Sequence, residues 1–161
     1  MAGVRGRIGG LWTGYDLWAE VRHGRITGRM GGTFIGKDLD LKFDGRNLTG
    51  RWGGAVEGKD LVCKVTESQR QGRMGGGVFG YDLDLHFDGF RVTGRVGGSV
   101  SGFDVNLTCG EDGSLTGRLG GSIIGKDCNL VVEGMPWLVA AALAAAVYYQ
   151  LDLDSNSAAN S

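Results

Sequence analysis

Six copies of one 22-residue unit run through this 161-residue chain, and that repeat limits its fold more than any other feature. The copies are marked by Arg7, Arg29, Arg51, Arg73, Arg95 and Arg118, evenly spaced apart from one extra residue before the last. Each continues through a double glycine to an aspartate, at Asp16, Asp38, Asp60, Asp82, Asp104 and Asp127. A unit this short cannot bury an apolar face alone, so the copies must pack on one another.

The pattern inside one copy, ITGRMGGTFIGKDLDLKF from Ile26 to Phe43, has period two. Ile26, Gly28 and Met30 share one face of a first strand, with Thr27, Arg29 and Gly31 on the other. Leu39, Leu41 and Phe43 alternate in a second strand with Asp38, Asp40, Lys42 and Asp44. Each copy is therefore predicted to be a β-hairpin. Gly36-Lys37 reads as its two-residue turn, and Asp44-Gly45-Arg46-Asn47 as the four-residue link to the next copy. The extra residue falls in a link of that second kind, at Gly110 to Ser114.

Those turns set the expected register. Arg29 should face Asp44 and Arg73 should face Asp88 within hairpins, while Asp40 faces Arg51 and Asp84 faces Arg95 between them. Leu41 should lie between Gly32 and Gly50. The result is an ion-pair belt on the outer wall. An in-register solenoid would instead stack the six arginines about 4.8 Å apart with no acid between them, so the antiparallel meander is preferred. Twelve such strands carry one wide apolar face and must close, into a barrel roughly 24 Å across.

The segment MPWLVAAALAAAVYYQLDLD, apolar on every side of a helix and kept thin by alanine, has the dimensions to fill that barrel. The expected fold is all-β with one helix: a twelve-stranded antiparallel up-and-down barrel closed around a central apolar C-terminal helix. One domain should cover residues 1–151, with strands over about 4–133 and the helix over about 136–150. The tail, 152–161, is expected to be disordered, with Asp152 and Asp154 near Lys37, Lys59 and Lys126.

An architecture of this kind resembles the tubby-like superfamily: tubby C-terminal domains, LURP-one-related proteins and phospholipid scramblases. The ending WLVAAALAAAVYYQLDLD looks like the LURP-one-related helix that runs into an acidic residue, and GRMGGTFIGKDLDL is similar to that family's recurring hairpin pattern. The resemblance would cover about Val4 to Leu151. It implies a twelve-stranded barrel threaded by its last helix and, by analogy with tubby domains, binding of phosphoinositide head groups.

Composition removes several function classes. Seventeen basic against eighteen acidic residues leave no charge excess for nucleic-acid binding. Cys63, Cys109 and Cys128 are odd in number and lack CxxC spacing, which argues against disulfides and zinc and for buried free thiols. The start MAGVRGRIGG has no apolar run of secretory-signal length, so an intracellular protein is expected. His23 and His86 have no nucleophile at a useful spacing, so no catalytic residues are assigned. The six repeat aspartates are expected to bond local backbone rather than a metal. A helix-plugged barrel should hold no internal small-molecule ligand, and no cofactor is expected.

Binding is thus expected at the surface. Tyr15, Lys37, Lys59, Tyr81, Phe103 and Lys126 are read as exposed turn tips ringing one end, suited to an anionic phospholipid surface or a protein partner. Trp12 and Trp52 are read as inward, and Trp18 as outward beside Arg22 and Arg25. The expected role is a non-enzymatic binding or scaffolding module, cytoplasmic or peripheral to a membrane, and a monomer or weak homo-oligomer. The alternatives are a self-assembling structural protein and a scramblase-like protein anchored by its last helix.

Overall fold

Alternating large and absent side chains let twelve short strands curve around a thin cylinder. The computed structural model describes residues 2–32, 36–53, 58–65, 68–75, 80–98, 101–121 and 124–159. The strands are β1 (Gly3–Gly9), β2 (Gly14–Arg22), β3 (Arg25–Gly31), β4 (Gly36–Phe43), β5 (Asn47–Trp52), β6 (Lys59–Val65), β7 (Gln69–Gly75), β8 (Tyr81–Phe87), β9 (Arg91–Gly97), β10 (Gly102–Cys109), β11 (Ser114–Gly120) and β12 (Gly125–Glu133). One helix, α1 (Trp137–Ala159), follows. Each strand pairs antiparallel with its neighbours in sequence, and β1 pairs with β12, so the sheet is closed and leaves no free edge for strand-to-strand assembly.

The expected fold is the observed one, and the helix lies inside the barrel. Every residue from Leu138 to Leu151 is buried, and those from Val139 to Val147 have no exposed surface. Pro136 opens the helix by accepting the amides of Val139 and Ala140 at 3.0 and 3.1 Å. The alanines let the glycine-lined wall close around it. At the middle of the barrel each repeat sets an inward glycine against a larger residue: Gly28 against Leu39, Gly50 against Leu61, Gly72 against Leu83. A Cβ on Gly28 would lie 2.0 Å from the Trp18 carbonyl oxygen, so a side chain there has no room.

Two expectations about extent and register change. The helix passes its expected end at 150 and continues to Ala159, so the tail anticipated as disordered is helical that far, while residues 160–161 lie outside the described set. The hairpin turns also fall three residues earlier than Gly36-Lys37. Gly31 pairs with Gly36, and Lys37 already stands in β4 opposite Met30. Leu41 keeps Gly50 as one neighbour but has Ile26, not Gly32, as the other. Moving a turn by three positions shifts strand partners by six, an even number, which leaves every side chain on its expected face.

The linking turns do match expectation. Asp44 accepts the amides of Arg46 and Asn47 at 2.9 and 2.6 Å. Those bonds hold its carboxyl below the usual range.

Candidate functional site

The shifted turns rebuild the outer wall. In every repeat the arginine bonds the aspartate nine residues on, from Arg7–Asp16 at 2.9 Å through Arg51–Asp60 at 2.6 Å to Arg118–Asp127 at 3.2 Å. The repeat aspartates therefore hold arginine rather than local backbone. Arg29 pairs with Asp38 at 2.8 Å and not with Asp44, and Arg73 pairs with Asp82 at 2.7 Å and not with Asp88. Asp88 instead accepts the amides of Phe90 and Arg91 in its own turn.

Asp40 and Arg51 do stand opposite each other, as do Asp84 and Arg95. Their side chains bond elsewhere: Asp40 takes both donors of the Arg25 fork, Asp84 contacts His86 and Gln69, and Arg95 reaches Asp104 at 2.7 Å. The same arginines also grip the turns. Arg7 donates to the carbonyls of Gly10, Leu11 and Gly14, Arg51 to Gly58, Arg73 to Gly80 and Arg95 to Gly98.

Above this belt, the rim residues turn inward rather than outward. Tyr15, Lys37, Lys59, Tyr81, Phe103 and Lys126 each pair with an inward residue of the preceding strand, such as Ile8 for Tyr15 and Val96 for Phe103. Phe103 is buried against Tyr148, with ring centroids 4.5 Å apart, and Tyr81 meets the Tyr149 ring edge-on at 5.4 Å. The remaining four are half-buried, and Lys126 donates to the Thr13 hydroxyl at 2.9 Å. They are not turn tips but the last inward layer around the helix.

A chain of hydrogen bonds fixes the helix there. The Trp52 indole donates to Gln150 at 3.0 Å, the Gln150 amide donates to Asp154 at 2.9 Å, and the Tyr15 hydroxyl donates to the other oxygen of Asp154. Burial first, and then Asp154, push the Tyr15 hydroxyl up to about 12. Asp154 is thus bound by Tyr15 and Gln150, where sequence placed it near lysines.

The exposed tips lie one turn further out. Leu11 is 89% exposed, Trp12 96% and Ile124 80%, and they belong to adjacent hairpins because β1 pairs with β12. Alternation carried on from Ile8 predicts Trp12 inward, but the chain leaves the ladder at Gly9 and carries it into solvent. Phe34, which holds the position of Trp12 in the next repeat, lies outside the described residues. Trp52 is inward as expected.

Trp18 faces out at 52% exposure, flanked in register by Arg5 and Arg29 rather than by Arg22 and Arg25, which face each other four positions along. It borders a shallow outer recess of about 270 Å³ that also touches Asp16, Met30 and Gly31.

Cys63 and Cys128 are buried, Cys109 is half-buried, and burial pushes the Cys128 thiol up to about 12 and Cys109 to about 11. Among the described residues no group of three or more acidic, histidine or cysteine side chains could hold a metal, and no helix is long and apolar enough to cross a membrane. Comparison with family models, curated proteins and solved structures returned no match for this chain.

Proposed function

We propose that this protein is a non-enzymatic docking module that settles onto an anionic phospholipid surface by the end of the barrel carrying the Gly-Gly turns. The observation that carries this reading is the exposure of Leu11, Trp12 and Ile124 on adjacent hairpin tips. An indole and two aliphatic side chains in water next to a lysine suit the boundary between head groups and acyl chains. Lys126 stands beside that cluster through its bond to Thr13, and Lys37 and Lys59 occupy the same layer of the mouth.

The bonds from arginine to the turn carbonyls support the reading a second way. Arg7 holds the tip that carries Leu11 and Trp12 before contact, so little ordering entropy is lost there on docking. The outer wall, lined with ion pairs, suits water rather than lipid. The helix is enclosed, so docking would use the tips and not α1 as an anchor. Membership of the tubby-like superfamily belongs to the same proposal, supported by twelve antiparallel strands around a C-terminal helix, as does a place at the cytoplasmic face of a membrane.

Sedimentation with vesicles of 30% phosphatidylserine in phosphatidylcholine tests it. Binding should fall about tenfold or more when Leu11, Trp12 and Ile124 are all changed to Ser, and by a smaller, salt-dependent factor when Lys37, Lys59 and Lys126 become Ala. No sedimentation of the intact protein would overturn the proposal.

A further inference from the structure

The six repeats act as an internal alignment, and two of their departures meet inside the barrel. The inward position that reads Val4, Ile26, Leu48, Val92 and Leu115 in five repeats is Arg70 in the other. In the facing strands, the position that reads Ala19, Leu41, Leu85, Leu107 and Leu130 is Cys63. Cys63 pairs with Gly72, two residues beyond Arg70 on β7, so the two odd side chains are inward neighbours. A thiol is shorter than the leucine that four of the other repeats carry at this position.

Arg70 has no exposed surface, and none of its three guanidinium nitrogens has a hydrogen-bond partner among the described residues. Its central carbon lies 6.0 Å from the centre of the Phe43 ring. The Cys63 thiol is close enough to interact electrostatically but makes no bond of proper geometry. Burial lowers Arg70 only to about 10 and pushes Cys63 up, so at neutral pH a full positive charge faces a neutral thiol. Buried charges in proteins are paired, and no acidic side chain pairs with this one among the described residues.

We propose that Arg70 holds one small free carboxylate inside the end of the barrel where α1 enters, with the Phe43 ring and the Cys63 thiol as its neighbours. A planar guanidinium fork matches a carboxylate through two parallel N–H···O bonds. One unpaired cation balances a monoanion, which favours a carboxylate over a phosphate dianion. Because Arg70 has no exposed surface and faces the Phe43 ring, the proposal is confined to the smallest carboxylates, acetate or propionate. This inference is independent of membrane docking, which uses the opposite end.

The test is thermal unfolding of the full chain at pH 7 and constant ionic strength, titrated with acetate against chloride. The melting temperature should rise along a saturable one-site curve, by about 5 to 10 °C at a hundredfold excess over the dissociation constant. Arg70→Leu restores the side chain that stands at Leu48, so it should stay folded and lose the response. Acetate should also slow modification of Cys63 by an uncharged thiol reagent.

Glu67, in the link between β6 and β7 and outside the described residues, supplies the decisive control. Glu67→Gln should respond to acetate as the native chain does. The proposal is overturned by a native chain that does not respond, by an equal response in Arg70→Leu, or by a response that appears only in Glu67→Gln. That last result would make the chain's own carboxylate the partner.

Discussion

Arg51 donates to Asp60 at 2.6 Å across hairpin β5–β6 while its other terminal nitrogen donates to the Gly58 carbonyl at 3.0 Å. One side chain therefore closes the hairpin from outside in two ways. The ion pair is exposed to water and by itself contributes little, whereas the bond to a turn carbonyl adds a separate increment. Arg51→Met should lower stability by roughly 1 kcal/mol, or about 3 °C in melting temperature, and Asp60→Asn by less. Equal losses in calorimetry would mean that the carbonyl bond contributes nothing.

Glycine in this chain serves two unlike purposes, and substitution separates them. A Cβ on Gly50 would stand 2.3 Å from the Asp40 carbonyl oxygen and 2.5 Å from Leu41 Cα, on a backbone with φ of +153°. Gly50→Ala must push two strands apart and should cost about 3 kcal/mol or more. Nothing lies within 4 Å of a Cβ on Gly10. Gly10→Ala should therefore change stability by less than about 0.5 kcal/mol. Urea unfolding of both variants checks the contrast, and a mild Gly50→Ala would refute the account of the packed wall.

Faces were legible in the sequence, but partners were not. Period-two alternation assigns Leu39, Leu41, Trp52, Cys63 and Cys128 to the interior, and the structure buries all five. The same alternation is blind to an even shift of partners, so it could not tell Arg29 opposite Asp44 from Arg29 opposite Asp38. The signal that separates them was present: every repeat arginine has an aspartate nine residues on. Trp12 departs from the alternation for a related reason, since parity keeps counting after the strand has ended at Gly9. The rim residues line the mouth rather than the tips because the strand pairing centres three residues before Gly36-Lys37. Arg70 broke the apolar pattern visibly in the sequence, and its burial became plain only when the ring was closed.

The helix can be cut at two points with different expected results. A chain ending at Leu151 keeps the buried length of α1 but loses Asp154, the shared partner of Tyr15 and Gln150. It should remain folded and monodisperse, with a melting temperature lowered by a few degrees. A chain ending at Gly134 loses the whole filling of the barrel and exposes its apolar lining, so it should aggregate and bind a hydrophobic dye. If the shorter chain stays monodisperse in light scattering, the helix is not what closes the core.

Alkaline pH tests the contact between Tyr15 and Asp154 without cutting the chain. The Tyr15 hydroxyl is raised from its ordinary value of 10 to about 12, first by burial and then by Asp154. A raised acid is more easily kept protonated in the folded state, so its contribution is fully present below pH 10 and is lost as pH climbs through about 12. Tyr15→Phe keeps the ring and removes the hydroxyl. Tyr148 and Tyr149, also raised by burial, titrate in both proteins and cancel in the difference. The stability gap between native chain and variant, from urea unfolding, should hold constant from pH 7 to 9.5 and shrink between pH 10 and 12. A gap that stays flat across that window would show that Tyr15 does not donate to Asp154 in solution.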